Sequence, residues 1–108
     1  YVIEPTVSRK IGAPAFAELS LDSKEWKSSK WAKEKGLFNQ ISENITQMDL
    51  EIEKKMVSFV SFPKEASKKL RQLHWKGTDH WDELLPKNAK ITAELALSDF
   101  AQKIIKSL

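Results

Sequence analysis

Apolar residues recur every three or four positions along most of the chain, and this periodicity predicts a succession of helices. A first short helix is predicted over about 5–11, because Pro5 suits a first helical turn and Gly12 suits the position just past a helix end. A second short helix follows over about 14–20, again with a proline at its start.

The next segment predicts one more short helix and then an apolar stretch without helical period. Ser28 or Ser29 can cap this helix, which continues to about Lys35 and stops at Gly36. The apolar residues 37–41 fit either a brief strand or an extended connection, and we favour the connection.

Two amphipathic helices are predicted around the middle of the chain. Asp49 is placed at the N-cap of the first, which ends at Pro63 and has lysines opposite its apolar residues Leu50, Ile52, Met56, Val57, Phe59 and Val60. Pro63 ends that helix and can start the next one, which closes at Gly77.

The last part of the chain predicts a long helix and a short one. Thr78 is expected to cap the long helix, and Pro86 to kink it or divide it in two. Ser98 caps the final helix, which carries Phe100, Ile104, Ile105 and Leu108 on its apolar side. The predicted fold is therefore all-α, a single helical region over residues 1–108.

Length and composition limit the classes to which the chain can belong. Its 108 residues suffice for one small domain. No cysteine is present, which excludes disulfides and thiolate metal sites and favours a reducing compartment, so we expect a cytoplasmic protein. No apolar run approaches the roughly 20 residues that span a bilayer, and we expect no membrane association.

Charge and aromatic content bear on the partners of the chain. The 18 basic residues are interleaved with 15 acidic ones for a net charge of +3, which favours a solvated surface over nucleic-acid binding. A mildly positive field would suit a phosphorylated acidic ligand. Four tryptophans and five phenylalanines fit either an aromatic core or a surface that meets another domain or subunit.

The sequence contains no recognisable catalytic motif. His74 and His80 are six positions apart, which does not suit a metal pair on one helix, and no metal site is predicted. Glu4 or Glu18 could act as a general acid or base, but nothing in the sequence places either in a pocket. We therefore assign no catalytic residue.

Several short motifs follow one another in an order that resembles a known family. They are Pro5–Gly12, Ala17-Glu18-Leu19, Lys24–Asn39, Pro63-Lys64-Glu65-Ala66, Gly77–Leu85 and Leu97–Phe100. Together they resemble the C-terminal region of the crotonase superfamily, the enoyl-CoA hydratases and isomerases, over essentially the whole chain.

The resemblance implies a fold and an activity for a larger parent protein. The chain would be the C-terminal helical, trimerising region of a crotonase-like β/α spiral, and the parent would form trimers or dimers of trimers. That parent would hydrate or isomerise a C=C bond of an acyl-CoA thioester through an oxyanion-stabilised enolate, as in fatty acid metabolism. Its catalytic groups would precede Tyr1, so this chain alone is expected to be inactive and to need no cofactor beyond the coenzyme A of its substrate.

The resemblance also implies a role for two residues of the last helix. In this family an aromatic residue and a lysine three positions later touch the adenine and phosphate end of coenzyme A. Phe100 and Lys103 match that spacing, which puts both about one helical turn apart. The alternative is that Phe100 belongs to the core and Lys103 to the solvated surface.

Two other functions remain open at this point. The chain could be a stand-alone helical interaction module that pairs its aromatic faces with a partner and binds no coenzyme A. A basic nucleic-acid-binding domain is a third possibility, against which the interleaved acidic residues argue.

Overall fold

The structure, a computed structural model, describes all residues 1–108 and consists of six helices without a strand. The all-α prediction is confirmed. The helices are α1 (Glu4–Leu21), α2 (Ser29–Glu34), α3 (Ile45–Ser61), α4 (Lys64–His74), α5 (Trp81–Ala96) and α6 (Asp99–Ser107).

Helix α1 is two helical segments joined at a glycine, as the sequence predicts. Gly12 has φ 80° and ψ 163°, a backbone conformation that is essentially restricted to glycine. Pro14 follows two residues later and starts the second segment, where its missing N–H removes no helical hydrogen bond. The break turns the second half of α1 away from the axis of the first.

Helix α2 and the segment after it also agree with the prediction. The Ser28 hydroxyl accepts a hydrogen bond from the backbone N–H of Trp31, and Gly36 has φ 87° just after the helix. Residues 37–41 form no strand. The backbone N–H groups of Leu37 and Phe38 both donate to the carbonyl of Ala32, so this segment is a connection that starts by folding back on α2.

The predicted start of α3 was wrong. The helix is capped by Asn44, whose side-chain oxygen accepts from the N–H of Gln47 at 2.8 Å, five residues before the expected Asp49. Asn44 and Asp49 are both good N-cap residues, and the residues between them tolerate helix. A longer helix gains further backbone hydrogen bonds once it is nucleated, which favours the earlier cap.

For α5 the predicted cap was wrong as well, and of the two alternatives for Pro86 the division of the helix was wrong. Thr78 does not cap it, because its hydroxyl donates to the carbonyl of Trp75 at 2.7 Å, and His80 occupies the N-cap without a side-chain bond. Pro86 lies inside α5 and does not divide it. Pro86 removes one backbone hydrogen bond near the start of the helix, and the following turns continue to Ala96.

Side-chain hydrogen bonds tie α1, α2 and α5 together, and we call these three helices the anchored region. The Trp31 indole N–H donates to Glu18 at 3.0 Å and joins α2 to α1. The backbone N–H of Val2 donates to the Thr92 hydroxyl at 3.1 Å, and the Asn88 amide donates to the carbonyl of Tyr1. The four buried residues of the chain, Pro5, Ala15, Ala32 and Asn88, all belong to this region.

Helices α3 and α4 form a second region, which we call the arm. Neither helix buries a residue. The arm is joined to the anchored region by Arg9, whose guanidinium donates to the carbonyls of His74 and Lys76, both at 2.8 Å. These bonds satisfy carbonyl groups at the end of α4 that no helical N–H reaches.

The chain as a whole is open. It exposes 9543 Å², whereas a compact monomer of this mass exposes roughly 6,100 Å². Its radius of gyration is 18.0 Å, against about 13 Å for a compact domain of this length. Twenty-four large apolar side chains are exposed, so the apolar faces of the helices do not form a common core.

Candidate functional site

The last helix, α6, carries the two residues that the sequence singled out. Its N-terminus is fixed by Ser98, whose hydroxyl accepts from the N–H of Ala101 at 3.3 Å and donates to the carbonyl of Leu95 at 2.7 Å. The Gln102 amide donates to the carbonyl of Ala96 at 2.8 Å. These bonds hold the first turn of α6 against the end of α5.

Phe100 and Lys103 lie on one side of α6. Successive residues of a helix turn by about 100° and rise about 1.5 Å, so the two are roughly 60° apart around the axis and roughly 4.5 Å apart along it. Phe100 is 76% exposed, and Lys103 is exposed and takes part in no hydrogen bond or ion pair. Of the alternative to a coenzyme A contact, the solvated position of Lys103 agrees with the structure, whereas Phe100 does not lie in a core of this chain.

The pair offers an aromatic face beside an ammonium group. A phenyl ring can stack on a flat heterocycle, and the ammonium can pair with a phosphate about one turn away. Neither residue lines the surface cavities along α3 and α4 or the one between α1 and α5. On this chain the site is thus an open contact surface, and any enclosure of a ligand would need a second surface.

Glu4 and Glu18, the two candidates for a general acid or base, both form hydrogen bonds within the chain. Glu18 accepts the Trp31 indole N–H at 3.0 Å and lies 3.5 Å from the Lys27 ammonium. Glu4 accepts from the Ser8 hydroxyl at 2.9 Å. Glu18 thus links α1 to α2 and to the segment between them, whereas Glu4 bonds within its own helix.

Lys27 forms two ion pairs, more than any other charged residue of the chain. Its ammonium lies 3.2 Å from Asp22 and 3.5 Å from Glu18, and its side chain is 14% exposed. The hydrogen bond to Asp22, with a smaller contribution from Glu18, raises the pKa of Lys27 above its ordinary 10.5. Lys27 therefore fastens the segment after α1 to the last turns of that helix.

The two histidines belong to different helices. His74 ends α4 and His80 stands at the N-cap of α5, and no group of three or more potential ligand side chains that could hold a metal occurs. Between them Trp75 and Trp81 meet edge to face, with ring centroids 6.1 Å apart. This aromatic pair connects the end of α4 to the start of α5.

A basic surface on α4 escaped the sequence reasoning, which treated the positive charge as evenly spread. Helix α4 contains Lys64, Lys68, Lys69 and Arg71 and one acid, Glu65, which gives 4 − 1 = +3. The other 97 residues hold 14 basic and 14 acidic groups, since 18 − 4 = 14 and 15 − 1 = 14. The spacing of residues 64, 68 and 71 on one helix face was the signal that could have revealed it.

No helix combines the length and the apolar character that crossing a membrane requires. Comparison of the chain with family models, with curated proteins and with solved structures gave no match.

Proposed function

We propose that the chain is the C-terminal helical region of an enoyl-CoA hydratase/isomerase-like enzyme that acts on acyl-CoA thioesters. The parent enzyme would add water across a C=C bond or shift it, through an enolate whose thioester oxyanion is held by backbone N–H groups. A cytoplasmic location, suggested by the absence of cysteine, belongs to the same proposal. The basis in sequence is the ordered series of motifs from Pro5 to Phe100.

Among the structural observations, the absence of a common apolar core gives this proposal its strongest support. The chain exposes roughly 3,400 Å² more than a compact monomer of its mass. Obligate subunit interfaces bury about 2,000–5,000 Å² counted over both partners, roughly half of it on each, so the excess on this one chain is large enough for a permanent assembly. A helical region that shares its core with a catalytic domain and neighbouring subunits would expose such a surface when taken alone.

Within the proposed enzyme the chain would serve assembly and substrate binding. Its apolar helix faces would pack in a trimer or dimer of trimers. Phe100 would stack on the adenine of coenzyme A, and Lys103 would pair with a phosphate at the same end. The openness of the pair on α6 supports this role, since a ligand held between subunits needs side chains free on the surface of each.

The decisive experiment is to determine the coding sequence upstream of Tyr1. The proposal expects an open frame for roughly one more domain, with two backbone-donor loops and a glutamate near the junction. Purified alone, the 108-residue chain should not hydrate crotonyl-CoA. Robust turnover by the chain itself would contradict the proposal.

A substitution in the full-length enzyme tests the coenzyme A contact. Lys103→Glu should raise KM for acyl-CoA and leave kcat less affected, because it removes binding energy far from the reacting atoms. Lys106→Glu is the matched control, since Lys106 lies on the same helix roughly 120° from Phe100 around the axis. Equal effects of the two substitutions, or none, would remove the assignment.

A stand-alone helical interaction module is the second candidate. The same exposed apolar faces support it, because an interaction module also needs surface that its own chain does not cover. A start codon immediately before Tyr1 would favour this candidate over the enzyme.

A further inference from the structure

The arm contains an apolar groove between the end of α3 and the face of α4. Its volume is about 580 Å³, and its floor is apolar, with Phe59, Phe62 and Leu70 all more than half exposed. His74 and Arg71 also line it.

The surface next to this groove is basic, and we call it the wall; of its cations, only Arg71 lines the groove itself. Lys64, Lys68 and Arg71 follow one another along α4 at the spacing of one helix face and line a second cavity of about 530 Å³ that shares Phe59 and Phe62. None of the three forms an ion pair within the chain. The net charge of α4, +3, equals that of the whole chain. The apolar floor therefore lies beside the most positive helix of the molecule.

We infer that this groove binds an amphipathic helix of a partner protein, with an apolar stripe toward Phe59, Phe62 and Leu70 and carboxylates facing Lys64, Lys68 and Arg71. An amphipathic helix in a groove presents apolar anchors at i, i+3, i+4 and i+7, and the three apolar side chains of this floor offer contacts for such a stripe. Glutamates or aspartates at i, i+4 and i+7 on its flank would meet the three cations in register. The inference does not depend on the proposed enzymatic function.

Charge complementarity selects this partner over others. A nucleic acid would pair with the cations but leave the apolar floor in water. An anionic membrane would attract the same cations, and sedimentation with vesicles distinguishes it from a partner helix. A partner helix with acidic flanks fills the floor and neutralises the wall at once.

Two synthetic peptides test the inference on the 108-residue chain. One has leucines at i, i+3, i+4 and i+7 with glutamates along one flank, and the other replaces those glutamates with lysines. Titration at a chain concentration where light scattering shows a monomer should give tighter binding of the glutamate peptide, by roughly tenfold for three exposed pairs. Raising the salt concentration should narrow this difference.

Three variants locate the binding. Lys64→Glu/Lys68→Glu/Arg71→Glu should reverse the preference between the two peptides, and Lys30→Glu/Lys87→Glu/Lys90→Glu, a matched change on other exposed lysines, should leave it unchanged. Leu70→Ser should weaken both peptides by roughly tenfold. Far-UV circular dichroism should show unchanged helix content, since all these positions are exposed.

Several outcomes would overturn the inference. Equal affinity for both peptides would make the groove an unspecific apolar surface, and no binding of either would remove the site. Sedimentation with phosphatidylserine vesicles, lost in the α4 charge-reversal variant and without peptide binding, would assign the wall to a membrane. Self-association abolished by Leu70→Ser, again without peptide binding, would assign the groove to a second copy.

Discussion

The anchored region and the arm both consist of regular helices, but their side chains differ in how far they are covered by other parts of the chain. In the anchored region, polar groups such as Glu18 and Trp31 find partners on other helices, and small residues such as Ala15 and Ala32 are buried. In the arm, Phe59 is 65% exposed and Leu70 is 51% exposed. An apolar face thus predicts that a helix will be covered, but it does not say by which molecule.

The largest expected effect comes from placing a charge in each region. Ala32→Asp buries an unpaired carboxylate at a position 6% exposed and should destabilise the chain by about 3 kcal/mol or more. The matched change Val57→Asp, at a position 67% exposed on α3, should shift stability by at most about 0.5 kcal/mol. Urea unfolding followed by circular dichroism measures both.

The contrast between the regions would fail if the two variants unfolded at the same urea concentration. A large loss for Val57→Asp would mean that α3 is packed in solution. In that case the arm would have a partner within the chain or in a second copy.

The next largest loss of stability is expected when two glycines are replaced by alanine. Gly12→Ala would force a side chain into φ 80° and ψ 163°, which should cost about 2 kcal/mol. Gly77 also has positive φ, but nothing lies within 4 Å of an added Cβ, and it stands in a turn after the arm. We expect Gly77→Ala to cost less, and a thermal melt of each variant that reversed this order would contradict the comparison.

The joint between the regions is the third test. Arg9→Ala removes both guanidinium bonds to the carbonyls of His74 and Lys76, with an expected loss of about 1 kcal/mol. Amide hydrogen exchange in α4 should become faster while that in α2 stays unchanged. Lys10→Ala, which removes a single 3.3 Å bond to the carbonyl of Leu37, is the control and should leave α4 unaffected.

The sequence predicted the helices well where one residue type dictates the backbone. Gly12 and Gly36 have positive φ as expected, and Ser28 and Ser98 cap their helices. These are local effects, because a glycine conformation or a capping bond is decided within one turn. The same reasoning failed at Asp49 and Thr78, since several capping residues competed and the choice depended on neighbouring turns.

Tertiary relations were beyond the reach of the sequence. The bonds from Val2 to Thr92 and from Arg9 to His74 join positions 90 and 65 residues apart. No periodicity encodes such pairs. The spacing of Phe100 and Lys103 predicted that both lie on one side of α6. It did not predict that Phe100 is exposed, because this depends on α6 contacting α5 through its first turn alone.

The smallest expected effect concerns the ion pairs of Lys27, which lies between α1 and α2 of the anchored region. Because its pKa is raised in the folded chain, its contribution to stability is fully present below its ordinary pKa of 10.5 and is lost as the pH rises through the raised value. Lys27→Met should therefore melt at a slightly lower temperature than the wild type at pH 9, and the difference should vanish at higher pH. Lys54→Met on the arm makes a useful comparison, because Lys54 pairs with Glu51 of its own helix at 3.3 Å and is 74% exposed. A pH-independent difference for Lys27→Met would mean that its methylenes, rather than its charge, hold the end of α1.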